Sequence, residues 1–167
     1  TDHSSYIEED FAARRRVLHL AGLAAAGLLA AGCAKPPAPV ITPVALQMVG
    51  APDMNPDTRG RASPLALRLY ILKTASSFES ADFFALFEKD TATLGADLIT
   101  KQEILLQPGG TRRLSFTLGP DATALGILAA YRDLARAQWR QTVTLTPGQA
   151  INLNAVLGAR GIALDRR

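Results

Sequence analysis

The sequence contains one cysteine, two histidines and one tryptophan in 167 residues, and only 6% of it is aromatic. Each scarcity removes a class of chemistry. A lone cysteine cannot close an internal disulfide. The histidines are His3 and His19, so the rest of the chain lacks the side chain that most often shuttles protons near neutral pH and ligates transition metals. A Ser-His-Asp or Cys-His mechanism cannot be built from that remainder. Leu94-Gly95 and Pro108-Gly109-Gly110 are not followed by Lys-Ser/Thr and do not open a helix, so no phosphate-cradling loop is expected. No apolar run reaches the about 20 residues of a membrane-spanning helix. Arg112-Arg113 and Arg166-Arg167 are isolated basic pairs without interleaved aromatics, which argues against nucleic acid as a partner. These gaps point away from an enzyme and toward a chain that needs no cofactor.

What is present begins with Arg14-Arg15-Arg16, followed by the apolar stretch Val17 to Leu29 with His19 as its one polar interruption, then Ala30-Ala31-Gly32-Cys33. Positive charge, a short apolar segment and small residues before a cut are the order of an export signal. Cys33 directly after Ala-Ala-Gly looks like a lipobox, the site at which bacteria attach diacylglycerol, so the covalent lipid on Cys33 is the expected membrane anchor. The competing reading, a buried Ala-rich helix with an incidental thiol, fails on pattern. The stretch is uniformly apolar instead of amphipathic, and Lys35-Pro36-Pro37-Ala38-Pro39 follows at once, a composition suited to an extended spacer. Arg14-Arg15-Arg16-Val17-Leu18 also resembles a twin-arginine export signal, with general secretion as the other route. Because the chain opens on Thr1 and not Met, Thr1 to Ala13 is not read as structure. Ala34 is not the Asp that commonly retains bacterial lipoproteins in the inner membrane, which favours the outer membrane. The expected organisation is therefore a leader over 1–32, an acylated Cys33 with a Pro-rich tether over 33–40, and one domain over 41–167. Removing a leader of three basic and four acidic residues changes the net charge from +3 to +4.

Across the whole sequence, 13 Gly and 10 Pro indicate many turns. Leu65, Leu67, Leu69 and Ile71 alternate with Ala66, Arg68, Tyr70 and Leu72, a period-2 strand with one apolar face. Leu114, Phe116 and Leu118 repeat the pattern, as do Ile151, Leu153 and Ala155, and Val143 with Leu145 between threonines. Val44 to Val49 and Ile104 to Leu106 are weaker strand candidates. Thr146-Pro147-Gly148-Gln149 has Pro second and Gly third, the chemistry of a type II turn. Ser76 to Asp90 departs from the alternation: Ala81, Phe83, Phe84 and Phe87 stand at helical spacing, and Ser76 with Glu79 suits a capping box. One short amphipathic helix is expected, its phenylalanines in the core and its acids, Glu79, Asp82, Glu88, Asp90 and Asp97, on a solvated face. Leu125 to Trp139 admits two readings, helix by propensity and strand by the alternation of Ile127, Ala129 and Tyr131. Recurrent turns between short strands predict an all-β sandwich or barrel.

With these pieces placed, the order of motifs is informative. Met54-Asn55-Pro56-Asp57, then Gly60-Arg61, Ser63-Pro64 and Leu67-Arg68-Leu69-Tyr70-Ile71-Leu72-Lys73, resembles the outer-membrane lipoproteins of type VI secretion, the TssJ family. Further matches are Phe78, Ala81-Asp82-Phe83-Phe84, Leu86-Phe87, Leu94-Gly95, Asp97-Leu98, Pro108-Gly109, and Tyr131-Arg132-Asp133-Leu134 with Ala137, Trp139 and Arg140. The resemblance implies a transthyretin-like β-sandwich of two sheets with a short helical insertion, and makes Leu125 to Tyr131 and Arg140 to Leu145 strands. It also implies a role as outer-membrane foothold of the secretion envelope complex, binding the periplasmic C-terminal domain of the inner-membrane protein TssM and, through it, meeting TssL indirectly. In the family the loop joining the first two strands carries much of that contact.

Here that loop is Ala51 to Ser63, and the expected partner-binding residues are Asn55, Asp57, Arg59 and Arg61. Part of it is turn chemistry, with Asn55 biased toward extended backbone by Pro56, while Asp57, Arg59 and Arg61 are expected to face the partner. Trp139 is expected to pack under the sheets and Arg140 to cover an acidic neighbour. Two other functions stay open on residues alone: a periplasmic lipoprotein whose sandwich binds a small molecule or cell-wall fragment, since fold does not dictate function, and a hydrolase built on a pair of carboxylates.

Overall fold

The computed structural model describes residues 38–167. Cys33, the leader 1–32 and most of the tether 33–40 lie outside those residues. Eight strands, β1 (Thr42–Gly50), β2 (Leu65–Leu72), β3 (Leu98–Leu106), β4 (Thr111–Leu118), β5 (Ala124–Ala129), β6 (Arg140–Thr144), β7 (Ile151–Leu157) and β8 (Ile162–Arg166), form two four-stranded sheets. One sheet has the order β4-β1-β7-β8 and the other β3-β2-β5-β6. Every described pairing is antiparallel except β1 with β7. Between β2 and β3 lie helices α1 (Ser76–Ser80) and α2 (Phe83–Leu94) and a 3-10 turn, Gly95–Asp97. This is the expected all-β sandwich with a helical insertion. No helix among the described residues is long and apolar enough to cross a membrane.

The alternation in β2 explains the layers. Leu65, Leu67, Leu69 and Ile71 enter the space between the sheets, where they meet Val44, Leu46 and Met48 of β1 and Leu153, Ala155 and Leu157 of β7. Tyr70 and Leu72 point the other way and are buried beneath the helices with Phe78, Phe83, Leu86 and Leu94. Strand β5 is covered on both faces, and all six of its residues are buried, the pattern of a strand with no solvent side. That settles the ambiguous segment: Leu125 to Ala129 is strand, and the chain leaves it at Ala130. The absence of a side chain at Gly126 admits the Phe78 ring, because a Cβ there would lie 3.0 Å from it. The type II turn forms as its residues dictate, with Gly148 at φ +82° and the Gln149 N–H donating to the Thr146 carbonyl at 3.0 Å.

The helical insertion differs from its sequence reading. The single helix is two, broken at Ala81 and Asp82, and no side chain caps the first. The capping box does not form: Ala75, not Ser76, is the N-cap, and Glu79 accepts a hydrogen bond from Thr142 Oγ1 at 2.7 Å. Asp82 caps the second helix, accepting from the Ala85 N–H at 2.9 Å. Phe78 and Phe83 are core, whereas Phe84 is 59% exposed. Asp90 is not on a solvated face: it is buried against sheet two, with Lys101 Nζ at 2.6 Å and the Tyr70 hydroxyl at 3.2 Å. Burial alone would raise the Asp90 pKa, but the Lys101 ammonium, the Thr91 N–H and Tyr70 together hold its carboxyl below the usual range. Arg68 completes this polar anchor, reaching the Phe87 carbonyl at 2.6 Å and Glu103 at 2.8 Å. Trp139 is half-buried and packs against both the intersheet core and the cluster beneath the helices, its ring edge-on to Phe83 at 5.3 Å. Arg140 covers no acid. Its guanidinium stacks 4.7 Å from the Trp139 ring and donates to the Phe78 and Ala81 carbonyls at 3.1 and 2.7 Å, which closes the C-terminal end of α1.

Candidate functional site

Strand β1 separates two ends of the sandwich. Thr42, the first residue of β1, lies at one end with the turn Thr146 to Gln149, since the Gly148 N–H donates to Thr42 Oγ1 at 2.9 Å. The loop Ala51 to Ser63 leaves the opposite end of the same nine-residue strand, about 30 Å away at the rise of an extended chain. Beside this loop sit the β5–β6 connection, residues 130–139, and the β7–β8 turn, residues 158–161.

The loop is folded against the domain by its own chemistry. Met54 is fully buried in the core. The Ser63 N–H donates to the Met54 carbonyl at 3.0 Å, and the Asp57 N–H to the Arg61 carbonyl at 2.8 Å, so the two limbs run as a small hairpin. Asp57 ties its tip: one carboxylate oxygen accepts from the Arg59 and Arg61 N–H groups, both at 2.9 Å, and the other from Arg61 Nε at 2.8 Å. The Arg61 backbone N–H and guanidinium hold the Asp57 carboxyl below its usual range.

Asn55 shows how the loop is joined to its neighbours. It stands at φ +49°, in the left-handed region, so the extended backbone expected before Pro56 is not what forms. Asn tolerates this conformation better than other side-chain-bearing residues, and tertiary hydrogen bonds hold it there. Its Nδ2 donates to the Pro64 carbonyl at 2.9 Å and its Oδ1 accepts from the Arg132 N–H at 2.9 Å. Asn55 is 3% exposed, so its side chain positions the loop and is turned away from solvent. The 130–139 segment is pinned in turn to the β7–β8 turn, by the Tyr131 hydroxyl on the Gly161 carbonyl at 2.7 Å and the Gln138 N–H on the Arg160 carbonyl at 2.8 Å. Burial raises the Tyr131 pKa far above that of a free phenol, keeping the hydroxyl protonated as a donor.

Three segments thus form one rigid end face. Of the four expected residues, Asn55 lies inside it, the Asp57 carboxylate is engaged within the loop, and Arg59 and Arg61 are at the surface. Arg61 keeps its side chain 72% exposed while bonded to Asp57. Sequence reasoning did not assign Arg132, Asp133, Arg136 and Arg160 to this site. Together with Pro56, Asp57 and Thr58 they line an open cleft of about 660 Å³, with Asp133 held by Arg160 at 3.2 Å and more loosely by Arg136 at 3.9 Å. Tyr131-Arg132-Asp133-Leu134 was visible as a motif, but its place beside a loop some seventy residues earlier is a tertiary fact. Arg59, Arg61, Arg132, Arg136 and Arg160 outnumber Asp53, Asp57 and Asp133, which gives this end a net positive face. Its groups are ion-pairing and hydrogen-bonding ones suited to holding another macromolecule. Among the described residues no cluster of His, Cys, Asp and Glu has the geometry of a metal site.

Comparison with known proteins places this architecture. No protein of curated function matches the sequence. The lipoprotein TssJ1 of the type VI secretion system from Pseudomonas aeruginosa is 42% identical, superposes with a TM-score of 0.71, and is matched over 98% of its chain and 78% of this one. Lip from Serratia marcescens, a membrane-bound component of the same kind of system, shares the fold at 22% identity, with a TM-score of 0.68, over 96% of its chain and 74% of this one. A chain in a structure described as the type VI protein TssM C-terminal domain from EAEC is 28% identical, with a TM-score of 0.59, over 99% of that chain and 73% of this one. The family described as type VI secretion lipoprotein, VasD, EvfM, TssJ matches residues 42–160. That match takes in all of β1 through β7, both helices and the whole loop end, and the chain therefore belongs to the type VI secretion lipoprotein family of TssJ.

Proposed function

We propose that the protein is an outer-membrane lipoprotein, acylated on Cys33, that grips the periplasmic C-terminal domain of the inner-membrane protein TssM through the loop end of its sandwich, with TssL reached indirectly through the complex. The observation that carries this reading is the polarity of β1. Its first residue, Thr42, follows the tether in the chain, and its far end carries a preformed, Arg-rich loop. A module built this way holds a membrane at one end and a protein at the other. Two or three acyl chains suffice for the first task, since each buried methylene contributes about 0.8 kcal/mol and a single chain holds only marginally. The second task uses a surface whose shape is set before binding, which lowers the ordering cost of association. Neither task uses catalysis or a cofactor.

Within this reading Arg59 and Arg61 make contact directly, Asp57 sets their positions, and Asn55 locks the loop to the 130–139 segment. Two experiments separate the halves of the proposal. Replacing Cys33 with alanine is expected to move the protein from the membrane fraction to the soluble periplasm and to abolish type VI secretion; unchanged fractionation refutes the anchor. Replacing Asp57, Arg59 and Arg61 together with alanine is expected to weaken capture of the TssM periplasmic domain while leaving fractionation intact. Undiminished capture moves the binding surface elsewhere.

A further inference from the structure

Strand β3 is an edge of its sheet, paired on one side only among the described residues. Which of its backbone groups face outward follows from register. The Ala130 N–H donates to the Ala66 carbonyl at 2.9 Å, so the even-numbered residues of β2 turn their hydrogen-bonding groups toward β5 and the odd-numbered ones toward β3. Through the pairs Leu67 with Ile104 and Leu69 with Gln102, the even-numbered residues of β3 are spent on β2. The N–H and C=O groups of Lys101, Glu103 and Leu105 therefore point away from the sheet, whereas the register shift opposite Ile71 and Leu72 interrupts the alternation at Ile99. These three side chains share its outer face and are exposed, Leu105 at 65%. An exposed edge carrying a large apolar side chain is a template for strand addition unless something blunts it. The one guard here is Lys101, and Glu103 stands two residues away with the opposite charge.

That spacing makes the edge self-complementary. We propose that β3 docks the β3 of a second copy of this chain, antiparallel, about a twofold axis at Gln102. In this register Lys101 lies opposite Glu103 of the other copy and Glu103 opposite its Lys101, with a Leu105 flanking each ion pair. Sliding by two residues either way sets Lys101 against Lys101 or Glu103 against Glu103, so charge selects one register. Asp90 and Arg68 already flank Lys101 and Glu103 within each copy, and the pairing extends those ion pairs into one row of alternating sign. The outward groups at 101 and 103 supply one hydrogen-bonded pair on each side of the axis. One strand pair covers less than the about 1,200 Å² of a stable complex, so the association is weak and depends on local concentration. The surface lies along a side of the sandwich and is distinct from its loop end, so the inference stands independently of the proposed function.

Gln102 provides the test. On the axis it faces itself across a non-hydrogen-bonded pair, where Cα atoms approach to about 4.5 Å, within disulfide range. Gln102→Cys and, separately, Thr100→Cys are introduced into the full chain, and membranes from producing cells are exposed to a mild oxidant. The wild type, which retains Cys33, is the control. A disulfide-linked homodimer is expected from Gln102→Cys and not from Thr100→Cys, whose copies lie four residues out of register. Adding Leu105→Lys to Gln102→Cys is expected to cut the yield about tenfold, because in both copies an exposed apolar side chain becomes a like charge beside the other copy's Lys101, while thermal melts confirm that each variant folds. No dimer from Gln102→Cys, equal dimer from Thr100→Cys, or cross-linking to a different protein each overturns the proposal.

Discussion

Asn55 is the residue on which the shape of the loop end turns, and its replacement has a magnitude that the structure supplies. Asn55→Ala removes two hydrogen bonds, to the Pro64 carbonyl and from the Arg132 N–H, both at 2.9 Å. An orphaned partner costs about 1 to 3 kcal/mol when buried. Pro64 and Arg132 belong to surface residues that water can reach, so the low end, about 1 kcal/mol each, applies. Alanine at φ +49° adds roughly 1 kcal/mol, because its Cβ has no compensating local hydrogen bond in the left-handed region. The sum is about 3 kcal/mol, which lowers the melting temperature by about 6 to 12 °C for a domain of this size. Asn55→Gly separates the two contributions. Glycine accepts the backbone conformation and loses only the hydrogen bonds, so it is expected to cost about 2 kcal/mol. The assay is thermal unfolding by circular dichroism, paired with capture of the TssM periplasmic domain, which is expected to weaken in both variants as the loop loses its link to residues 130–139. If Asn55→Ala melts together with the wild type, or if Asn55→Gly melts lower than Asn55→Ala, the account of this residue as the loop's lock is wrong.

Gly126→Ala is expected to destabilise by about 1 to 3 kcal/mol through overpacking, since the new Cβ meets the buried Phe78 ring at 3.0 Å; a denaturant midpoint matching the wild type contradicts this. Asp90→Asn is expected to cost about 2 to 3 kcal/mol at neutral pH by leaving Arg68 and Lys101 without their shared carboxylate. Because the folded Asp90 carboxyl titrates below its ordinary value, its contribution is complete above about pH 4 and is lost as pH falls through the folded value. The gap in melting temperature between wild type and variant should therefore narrow in acid; a gap that does not narrow as pH falls below about 4 refutes the assignment. At the other extreme, burial above all raises the Tyr70 phenol to about 12. Its neutral form is thus favoured on folding, and stability should decline from about pH 10, where the unfolded phenol ionises, to the folded value. A phenolate absorbance titration checks this, with Tyr70→Phe removing the corresponding step.

Which elements could be read in advance depends on how many sides of each are dry. Strands β2, β4 and β7 each carry a long stretch of alternation because one face meets the intersheet core, and their residues announce it. Strand β5 is buried on both faces, so period 2 is masked and its Leu and Ala content mimics a helix. Strand β3 shows six residues to solvent or nearly so before Ile104, and only its last turn toward the core read as strand. The five residues of β8 were not anticipated, being a short exposed edge with one buried side chain, Ile162. The acids around the helices read as a uniform solvated face, and only the packing of α2 on sheet two singles out Asp90.

Local chemistry acts over a few residues, and what it controls was decided by the order of amino acids: the strand alternation, the Pro147-Gly148 turn and the Asp57 turn at the loop tip. The tertiary structure decided what depends on distant segments meeting. It turned Asn55 inward to hold Pro64 and Arg132, gathered Arg132, Asp133, Arg136 and Arg160 beside the loop, and drew Asp90 onto Lys101. The reason is range. A turn or a period is set by neighbours a few residues apart, whereas the environment of a side chain is set by whichever segments the sheet order brings to the same end of the sandwich.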